Sequence, residues 1–298
     1  MRVGVIDVGT NSCRMLAVDC RGGDIEEIKR DLIITRLGEG VDQNAYLLDI
    51  AIERTRSAIC SFINEMNILG VEEIRINGTS ALRDVNNAES LVQKVKKETG
   101  CILNIISGRE EARLSFLGVG ATDTNKMIID IGGGSTEFIW QDNQEIKFKS
   151  LNMGSVRLTE RFISNPKDRV SSLEISFIER EVESLINREI DPVNFHKAVG
   201  LGGTITTIAA VEQKMDKYDI SKIEGYKLIS TGLKKTLNRL RKMTLKERKD
   251  VKGLQEERAD IIIAGIVILS VVLESLGLKS VIVSEKDLLY GAVKDLIM

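Results

Sequence analysis

Apolar and polar residues follow one another along the chain in an order that repeats from its first half to its second. The first half predicts three strands, followed by helices that alternate with two further strands. In the longest predicted helix, Ile52, Ile59, Ile63 and Met66 recur at helical spacing, and Gly70 follows its end. The predicted elements are strands 2–7, 13–19 and 25–36, helix 45–68, strand 72–77, helix 80–98, strand 102–106 and helix 108–118.

The second half opens with the same three strands and continues with more helix. Two copies of one α/β domain, with the active cleft between them, are the simplest explanation of this order. Residues 119–126 are rich in small side chains and predict the short join between the copies. The predicted elements are strands 126–131, 135–141 and 145–151, helices 154–163 and 171–189, strand 197–201, helices 203–213, 230–249 and 254–276, strand 279–283 and helix 287–298.

Composition narrows the class of protein. A chain of 298 residues with 43% hydrophobic and 29% charged side chains favours two domains with sizeable cores. The net charge of −2 argues against broad binding of nucleic acid or membrane surfaces, so we expect neither partner. The four cysteines form no CxxC pair, His196 is the only histidine, and no leader segment is visible. These features predict a cytoplasmic protein without zinc.

Two glycine turns carry the strongest chemical signal. One is Asp7-Val8-Gly9-Thr10-Asn11-Ser12 and the other is Asp130-Ile131-Gly132-Gly133-Gly134-Ser135-Thr136-Glu137, and each follows an apolar strand. Glycines let backbone N–H groups approach a bound oxyanion, and an Asp at a strand end supplies an oxygen ligand for Mg²⁺ or its waters. Facing each other across a cleft, two such turns would bind a polyphosphate from both sides.

Weaker motifs each have an ordinary structural explanation beside the functional one. Gly200 to Thr204 ends a strand and opens a helix. This pattern is typical either of a helix N-terminus that binds an anion or of close packing between the helix and the strand. The acidic first turn of the helix that begins at Gly108 is an ordinary partner of the helix dipole. Ser80 and Arg83 lie at a strand-to-helix junction, where capping and a surface salt bridge compete with phosphate contact.

Together these motifs resemble the exopolyphosphatase / guanosine pentaphosphate phosphohydrolase family, in its short two-domain form, within the sugar kinase–heat-shock–actin superfamily. The resemblance covers essentially the whole chain. It rests on 7–14, 79–84, 107–112, 130–137, 153–160, 200–204 and 253–265. Two departures stand out: Glu224-Gly225-Tyr226 lacks a histidine that is frequent in the family, and Leu289 replaces a frequent arginine.

The resemblance implies two duplicated actin-like, or ribonuclease H-like, domains with an interdomain cleft. It places residues 1–120 in the N-terminal domain, joined by the C-terminal helix 287–298, and residues 121–286 in the C-terminal domain. A homodimer is one candidate assembly.

The implied activity is release of terminal orthophosphate from inorganic polyphosphate, with short chains preferred and guanosine pentaphosphate as the second candidate. Asp7 and Asp130 would position Mg²⁺ or another divalent cation. Glu111 is the implied base, with Glu137 close to metal and water, and sequence physics leaves the choice between them open. The expected phosphate ligands are Gly9, Thr10, Asn11, Ser12, Arg14, Ser80, Arg83, Gly132, Gly133, Gly134, Ser135, Thr136, Gly202 and Gly203.

Two other classes of protein share such turns. An actin-like ATP-binding structural protein would polymerise, and a kinase of the same superfamily would transfer phosphate to an acceptor other than water. Incubation with Mg²⁺ and ATP, polyphosphate or guanosine pentaphosphate distinguishes the three classes.

Overall fold

The chain forms two compact units in a computed structural model. The N-terminal unit comprises residues 1–120 and 286–298, and the C-terminal unit comprises residues 121–285. Most of the predicted join at 119–126 lies outside the described residues. The structure describes residues 1–22, 24–120, 126–142, 145–191 and 195–298. Within those residues, no helix is both long and apolar enough to cross a bilayer.

The N-terminal unit is built from strands and helices that alternate after an initial meander. Its elements are β1 (Arg2–Val8), β2 (Ser12–Arg21), β3 (Asp24–Ile34), α1 (Val41–Asn44), α2 (Asp49–Ile68), β4 (Glu73–Gly78), α3 (Ser80–Arg83), α4 (Ala88–Thr99), β5 (Leu103–Ile105), α5 (Gly108–Val119) and, from the end of the chain, α13 (Leu288–Ile297).

The described strands of this unit form one sheet in the order β3-β2-β1-β4-β5. β1 pairs antiparallel with β2 and parallel with β4, which in turn pairs parallel with β5. In this register Asp7 lies between Arg14 on β2 and Asn77 on β4. The sheet therefore brings polar side chains together at the carboxyl end of its central strand, where open α/β sheets bind ligands.

Helices cover both faces of this sheet. Ile6 and Val8 point to the face that packs on α2 and α4, and Val3 and Val5 point to the face covered by α5 and α13. A Cβ at Gly291 of α13 would lie 1.7 Å from the carbonyl oxygen of Leu114 in α5. Only glycine permits this approach, so the last helix of the chain is packed tightly against α5.

The C-terminal unit repeats this construction with more helix. Its elements are β6 (Lys126–Ile131), β7 (Thr136–Asp142), β8 (Glu145–Leu151), α6 (Ser155–Phe162), α7 (Ser172–Glu189), β9 (Lys197–Leu201), α8 (Gly202–Glu212), α9 (Ile220–Ile223), β10 (Lys227–Ile229), α10 (Ser230–Leu240), α11 (Leu245–Lys249), a 3₁₀ turn (Glu256–Arg258), α12 (Ile262–Ser275) and β11 (Ser280–Val283).

The described strands of the C-terminal unit run in the order β10-β11-β9-β6-β7-β8. β6 pairs antiparallel with β7 and parallel with β9, as β1 does with β2 and β4. Without the added edge strand β10, the two sheets have the same order and the same directions. Asp130 consequently occupies the position of Asp7, and Glu137 occupies the position of Arg14. The expected duplicated α/β fold is confirmed.

Several predicted helices are shorter than expected or divided. Helix 45–68 begins at Asp49, and helix 80–98 is divided by residues 84–87 into α3 and α4. Helix 230–249 stops at Leu240 because Thr244 and Glu247 form a capping box that starts α11. Helix 254–276 begins as a 3₁₀ turn, and α12 starts only at Ile262. The short elements α9 and β10 were not predicted, since three or four residues carry too little periodicity.

Candidate active site

The two glycine turns have the same hydrogen-bonding geometry. In the first, the N–H of Gly9 donates to the carbonyl oxygen of Ser12 over 3.0 Å. In the second, the N–H of Gly132 donates to the carbonyl oxygen of Ser135, also over 3.0 Å. Each turn therefore closes on itself in the same way between an antiparallel pair of strands.

Each turn leaves two successive amides open. The N–H groups of Thr10 and Asn11 donate to no described residue, and the same is true of Gly133 and Gly134. Successive N–H groups at a tight turn form a concave anion-binding nest. The side-chain amide nitrogen of Asn11 is also buried without a partner among the described residues. Both turns thus offer hydrogen-bond donors to an oxyanion.

The carbonyl groups of the second turn point to helix α6. The carbonyl oxygen of Gly133 accepts hydrogen bonds from the N–H groups of Val156 and Arg157, over 2.9 and 3.1 Å. Those of Gly132 and Gly134 accept from the N–H groups of Ser155 and Gly154. The first amides of α6 are therefore occupied by the turn, and they fix its orientation.

A different segment fixes the first turn. The N–H groups of Thr35 and Arg36 donate to the carbonyl oxygen of Asn11, and that of Gly38 donates to Thr10 over 2.8 Å. A Cβ at Gly38 would lie 2.3 Å from the methyl group of Thr10. The hydroxyl groups of Thr10 and Ser80 lie 3.1 Å apart. Sequence analysis missed residues 35–38, although the glycine at position 38 was a signal for close backbone approach.

Asp7 is buried and bound on one side only. Its Oδ2 atom accepts from Nε and Nη2 of Arg14, over 3.0 and 2.5 Å. Its Oδ1 atom is buried and has no partner among the described residues. Burial raises the pKa of Asp7, whereas Arg14 lowers it and the charge of Asp287 raises it again. A carboxylate oxygen left bare in this way needs a cation or ordered water.

Arg14, one of the expected phosphate ligands, is bound to two carboxylates in this structure. Besides its two bonds to Asp7, its Nη1 atom donates to Oδ2 of Asp287, just before α13. Asp287 lies 273 residues along the chain from Arg14. Sequence analysis predicted a helix over 287–298 but missed this role of Asp287, because only the folded N-terminal unit brings α13 to β2.

Glu111 lies in the first turn of α5, at the same edge of the N-terminal sheet. Its Oε2 atom accepts from Nη1 of Arg83 over 2.6 Å, and the same nitrogen donates to the carbonyl oxygen of Ile106. Its Oε1 atom has no partner among the described residues. Burial raises the pKa of Glu111, Arg83 opposes the rise, and the charge of Asp7 adds to it. Asp7 and Glu111 are therefore close enough to influence each other.

In the C-terminal unit, Asp130 and Glu137 are directly opposite across β6 and β7. Glu137 is buried, and its Oε1 atom accepts from the hydroxyl of Ser150 over 2.7 Å. A Cβ at Gly202, where φ is +87°, would lie 2.5 Å from Oδ1 of Asp130. Glycine is thus required at position 202 both by the backbone angle and by the adjacent carboxylate.

The first turn of α8 lies beside this pair. It has no side-chain cap, and a Cβ at Gly203 would lie 2.3 Å from the guanidinium of Arg258. An uncapped helix N-terminus next to an arginine suits an anion. Sequence analysis placed Arg258 in a family motif without a role, because its contact with Gly203 joins positions 55 residues apart.

The described residues suit a divalent cation that is held partly by its substrate. They include no group of three or more metal-ligating side chains. Mg²⁺ is commonly bound by one or two carboxylates together with waters and substrate phosphates. The unpartnered Oδ1 atom of Asp7 can serve as such a carboxylate ligand, and Asp130 offers the equivalent carboxylate in the second unit.

The fold and the two turns define a class of actin-like enzymes that bind phosphates. A family model described as the Ppx/GppA phosphatase family matches residues 17–297. The chain belongs to this family, whose members hydrolyse phosphoanhydrides.

Three curated relatives extend along nearly all of the chain. A bifunctional 3-dehydroquinate synthase/phosphatase of Fusobacterium nucleatum is 37% identical over 97% of the chain and 45% of its own length. Exopolyphosphatase 2 of Mycobacterium tuberculosis is 33% identical over 97% of both proteins. A guanosine-5'-triphosphate,3'-diphosphate pyrophosphatase of Aliivibrio fischeri is 30% identical over 98% of the chain and 59% of its own length.

Solved structures share the fold. A crystal structure of an exopolyphosphatase-like protein has a TM-score of 0.91 and 30% identity, and covers 99% of this chain and 98% of that one. The Ppx/GppA family member of Aquifex aeolicus has a TM-score of 0.80 and 30% identity, over 100% of this chain and 97% of that one. The expected actin-like fold is therefore confirmed.

Proposed function

We propose that the protein releases terminal orthophosphate from inorganic polyphosphate, with a preference for short chains. One observation carries this proposal: the two glycine turns have the same geometry, and each leaves two successive amides open. Two matching nests suit a ligand with a repeating unit of charge, and a chain of phosphates is such a ligand. We propose that each turn binds phosphate groups of the substrate.

For a divalent cation we propose Mg²⁺, to which Asp7 in one unit and Asp130 in the other would offer carboxylate oxygens, together with oxygens of the substrate. When bound, the cation would neutralise the negative charge on the phosphoryl oxygens in the transition state of phosphoryl transfer. Oδ1 of Asp7 supports this assignment because it is buried without a partner among the described residues. Within each turn, the open amides would bind the phosphate oxygens and limit rotation of the polyphosphate substrate.

Glu111 is the proposed general base. Its Oε2 atom is fixed by Arg83, whereas its Oε1 atom is open to accept a proton from the attacking water. A raised pKa brings a carboxylate closer to the operating pH, where general-base catalysis is most effective. Glu137 is the weaker candidate, because Ser150 donates to one of its oxygens and it stands beside the proposed metal ligand Asp130.

The choice of inorganic polyphosphate over guanosine pentaphosphate rests on the first turns of α8. A guanine base needs polar side chains that face it, and the threonines nearest to Gly202 and Gly203 are buried. The hydroxyl of Thr207 donates to the carbonyl oxygen of Gly203, and that of Thr204 donates to Ser155. These hydroxyl groups are used within the protein, so a guanine base would have few hydrogen-bond partners at this end of α8.

The preference for short chains rests on two arginines of the N-terminal unit. Arg14 and Arg83, both expected phosphate ligands, each donate to carboxylates. The protein also has a net charge of −2. A long polyanion would gain little attraction beyond the phosphates that the turns bind directly.

A comparison of kcat/KM tests the substrate. Tripolyphosphate, a long-chain polyphosphate and guanosine pentaphosphate are supplied separately with Mg²⁺, and orthophosphate release is measured. We expect tripolyphosphate to give the highest value. A higher value for guanosine pentaphosphate would assign the protein to nucleotide hydrolysis. A higher value for long-chain polyphosphate would mean that basic side chains beyond the two turns bind the substrate.

The same preparation tests the other classes. With Mg²⁺ and ATP, an actin-like structural protein would form filaments that scatter light, and a kinase would release ADP only when an acceptor is added. We expect neither, and either result would contradict the proposal.

A further inference from the structure

Asp287 connects the end of the chain to the first glycine turn. It is 3% exposed, and its Oδ1 atom accepts from the N–H of Leu289, which caps α13. Its Oδ2 atom accepts from Nη1 of Arg14. One carboxylate thus fixes a helix with one oxygen and an arginine with the other.

Arg14 is held between two carboxylates as a result. Its Nε and Nη2 atoms bind Oδ2 of Asp7, while Nη1 binds Asp287. The Asp7 and Asp287 side chains are 6% and 5% exposed, and that of Arg14 is 21% exposed. A planar guanidinium bound on two sides cannot turn without breaking a buried charged hydrogen bond, which is costly.

We propose that Asp287 is a positioning residue for the cation at Asp7. It holds Arg14 on Oδ2 of Asp7, which reserves Oδ1 for the cation, and it keeps the cluster at a net charge of −1. Without Asp287, Asp7 and Arg14 would form a neutral pair, and Arg14 would be free to cover both oxygens of Asp7. This inference rests on the proposed function, in which Asp7 binds a divalent cation.

The C-terminal unit supports the charge argument. At the position equivalent to Arg14 it has Glu137, directly opposite Asp130. There the second carboxylate comes from the neighbouring strand. In the N-terminal unit that strand position is an arginine, and Asp287 from the end of the chain supplies the additional acid. Each unit therefore has a second carboxylate near its strand-end Asp.

Asp287→Asn tests the role of the charge, because Asn has nearly the same size and is also a good helix N-cap. Asp295→Asn is the matched control. Asp295 lies on α13, the helix that Asp287 caps, and it too is paired with arginine: it binds Arg75 over 2.6 Å and Arg113 over 2.7 Å, without contact to Asp7.

The first readout is Mn²⁺ binding to the whole chain without substrate, measured by electron paramagnetic resonance. We expect Asp287→Asn to raise the Mn²⁺ dissociation constant by about threefold to tenfold, because a nearby buried negative charge is lost. We expect Asp295→Asn to stay within about twofold of the wild type, since its contacts lie away from the cation site. The second readout is the Mg²⁺ concentration at half-maximal phosphate release, which should shift in the same direction.

Equal Mn²⁺ dissociation constants for the wild type and Asp287→Asn would overturn the proposal. An equal rise in the dissociation constant for Asp287→Asn and Asp295→Asn would overturn it as well. Should Asp287→Asn fail to fold, Asp287→Ser repeats the test with another uncharged capping residue. The binding readout separates this inference from the proposed function. Altered Mn²⁺ affinity in a protein that leaves polyphosphate intact would uphold the role of Asp287 and reject the substrate.

Discussion

Glu111 shows at the scale of one residue how burial and a single ion pair prepare a carboxylate for catalysis. Arg83 holds one oxygen, the other is open, and burial raises the pKa. The sequence placed this residue in the first turn of a helix, where acidic residues are ordinary. Its contact with Arg83 joins positions 28 residues apart, which no local pattern reveals.

Glu111→Gln should lower kcat by about 10²–10⁴-fold with KM within about threefold, since a general base acts mainly on the chemical step. Glu110→Gln is the matched control from the same helix turn, where Glu110 pairs with Arg113 and does not contact Arg83. Steady-state phosphate release measures both. A near-normal rate for Glu111→Gln with a large loss for Glu137→Gln would transfer the role of base to Glu137.

The pH dependence gives a separate test of the Glu111–Arg83 pair. A base must be ionised, so kcat/KM should fall as the pH drops through the raised pKa of Glu111. Arg83 lowers that pKa, and its removal should therefore move the acid limb to higher pH. We expect this shift in the pH profile of Arg83→Gln. An acid limb that stays in place or moves to lower pH would contradict the assignment.

At the scale of elements, the strands and the glycine turns were predicted well because each has a strong local signal. Short continuous apolar runs located β1 and β6, and clustered glycines located both turns. The helices were less predictable. The capping box at Thr244 was readable in the sequence, whereas the approach of α5 to Gly291 depends on packing between distant segments.

Gly202 connects β9 to α8 and gives an element-scale prediction. Gly202→Ala should lower kcat/KM at least about tenfold, because a Cβ 2.5 Å from Oδ1 of Asp130 would displace a carboxylate that we assign to the cation. Gly225→Ala is the matched control: its φ is +79°, yet a Cβ there has nothing within 4 Å.

Both alanines carry a similar backbone strain of about 1–2 kcal/mol. Thermal unfolding should therefore show a loss of stability for both variants, larger for Gly202→Ala because its Cβ also lies 2.9 Å from the carbonyl oxygen of Ile131, while only Gly202→Ala loses activity. Equal activity of the two variants would mean that the position of Asp130 is not critical.

At the scale of the whole molecule, the duplication and the family were accessible from the sequence, because the two halves repeat one order of elements. The family resemblance also implied that helix 287–298 joins the N-terminal domain, but the individual contacts of that helix could not be predicted. Leu288, Leu289, Ala292 and Val293 of α13 complete the core on one face of the N-terminal sheet.

Removal of residues 286–298 should therefore destabilise the N-terminal unit selectively. We expect hydrogen exchange, followed by mass spectrometry, to show faster exchange in β1, β2 and α5 and nearly unchanged protection in α7 and α12. The reason is that α13 packs on the first group and belongs to the same compact unit. Uniform loss of protection throughout the chain would contradict this division.

The most direct test of the proposed function is to follow where water's oxygen goes. Tripolyphosphate is incubated with the protein and Mg²⁺ in H₂¹⁸O, and the products are resolved by ³¹P nuclear magnetic resonance. Attack of water on the terminal phosphorus should give ¹⁸O-labelled orthophosphate and unlabelled pyrophosphate. Label in the pyrophosphate, or no orthophosphate at all, would contradict terminal hydrolysis by this site.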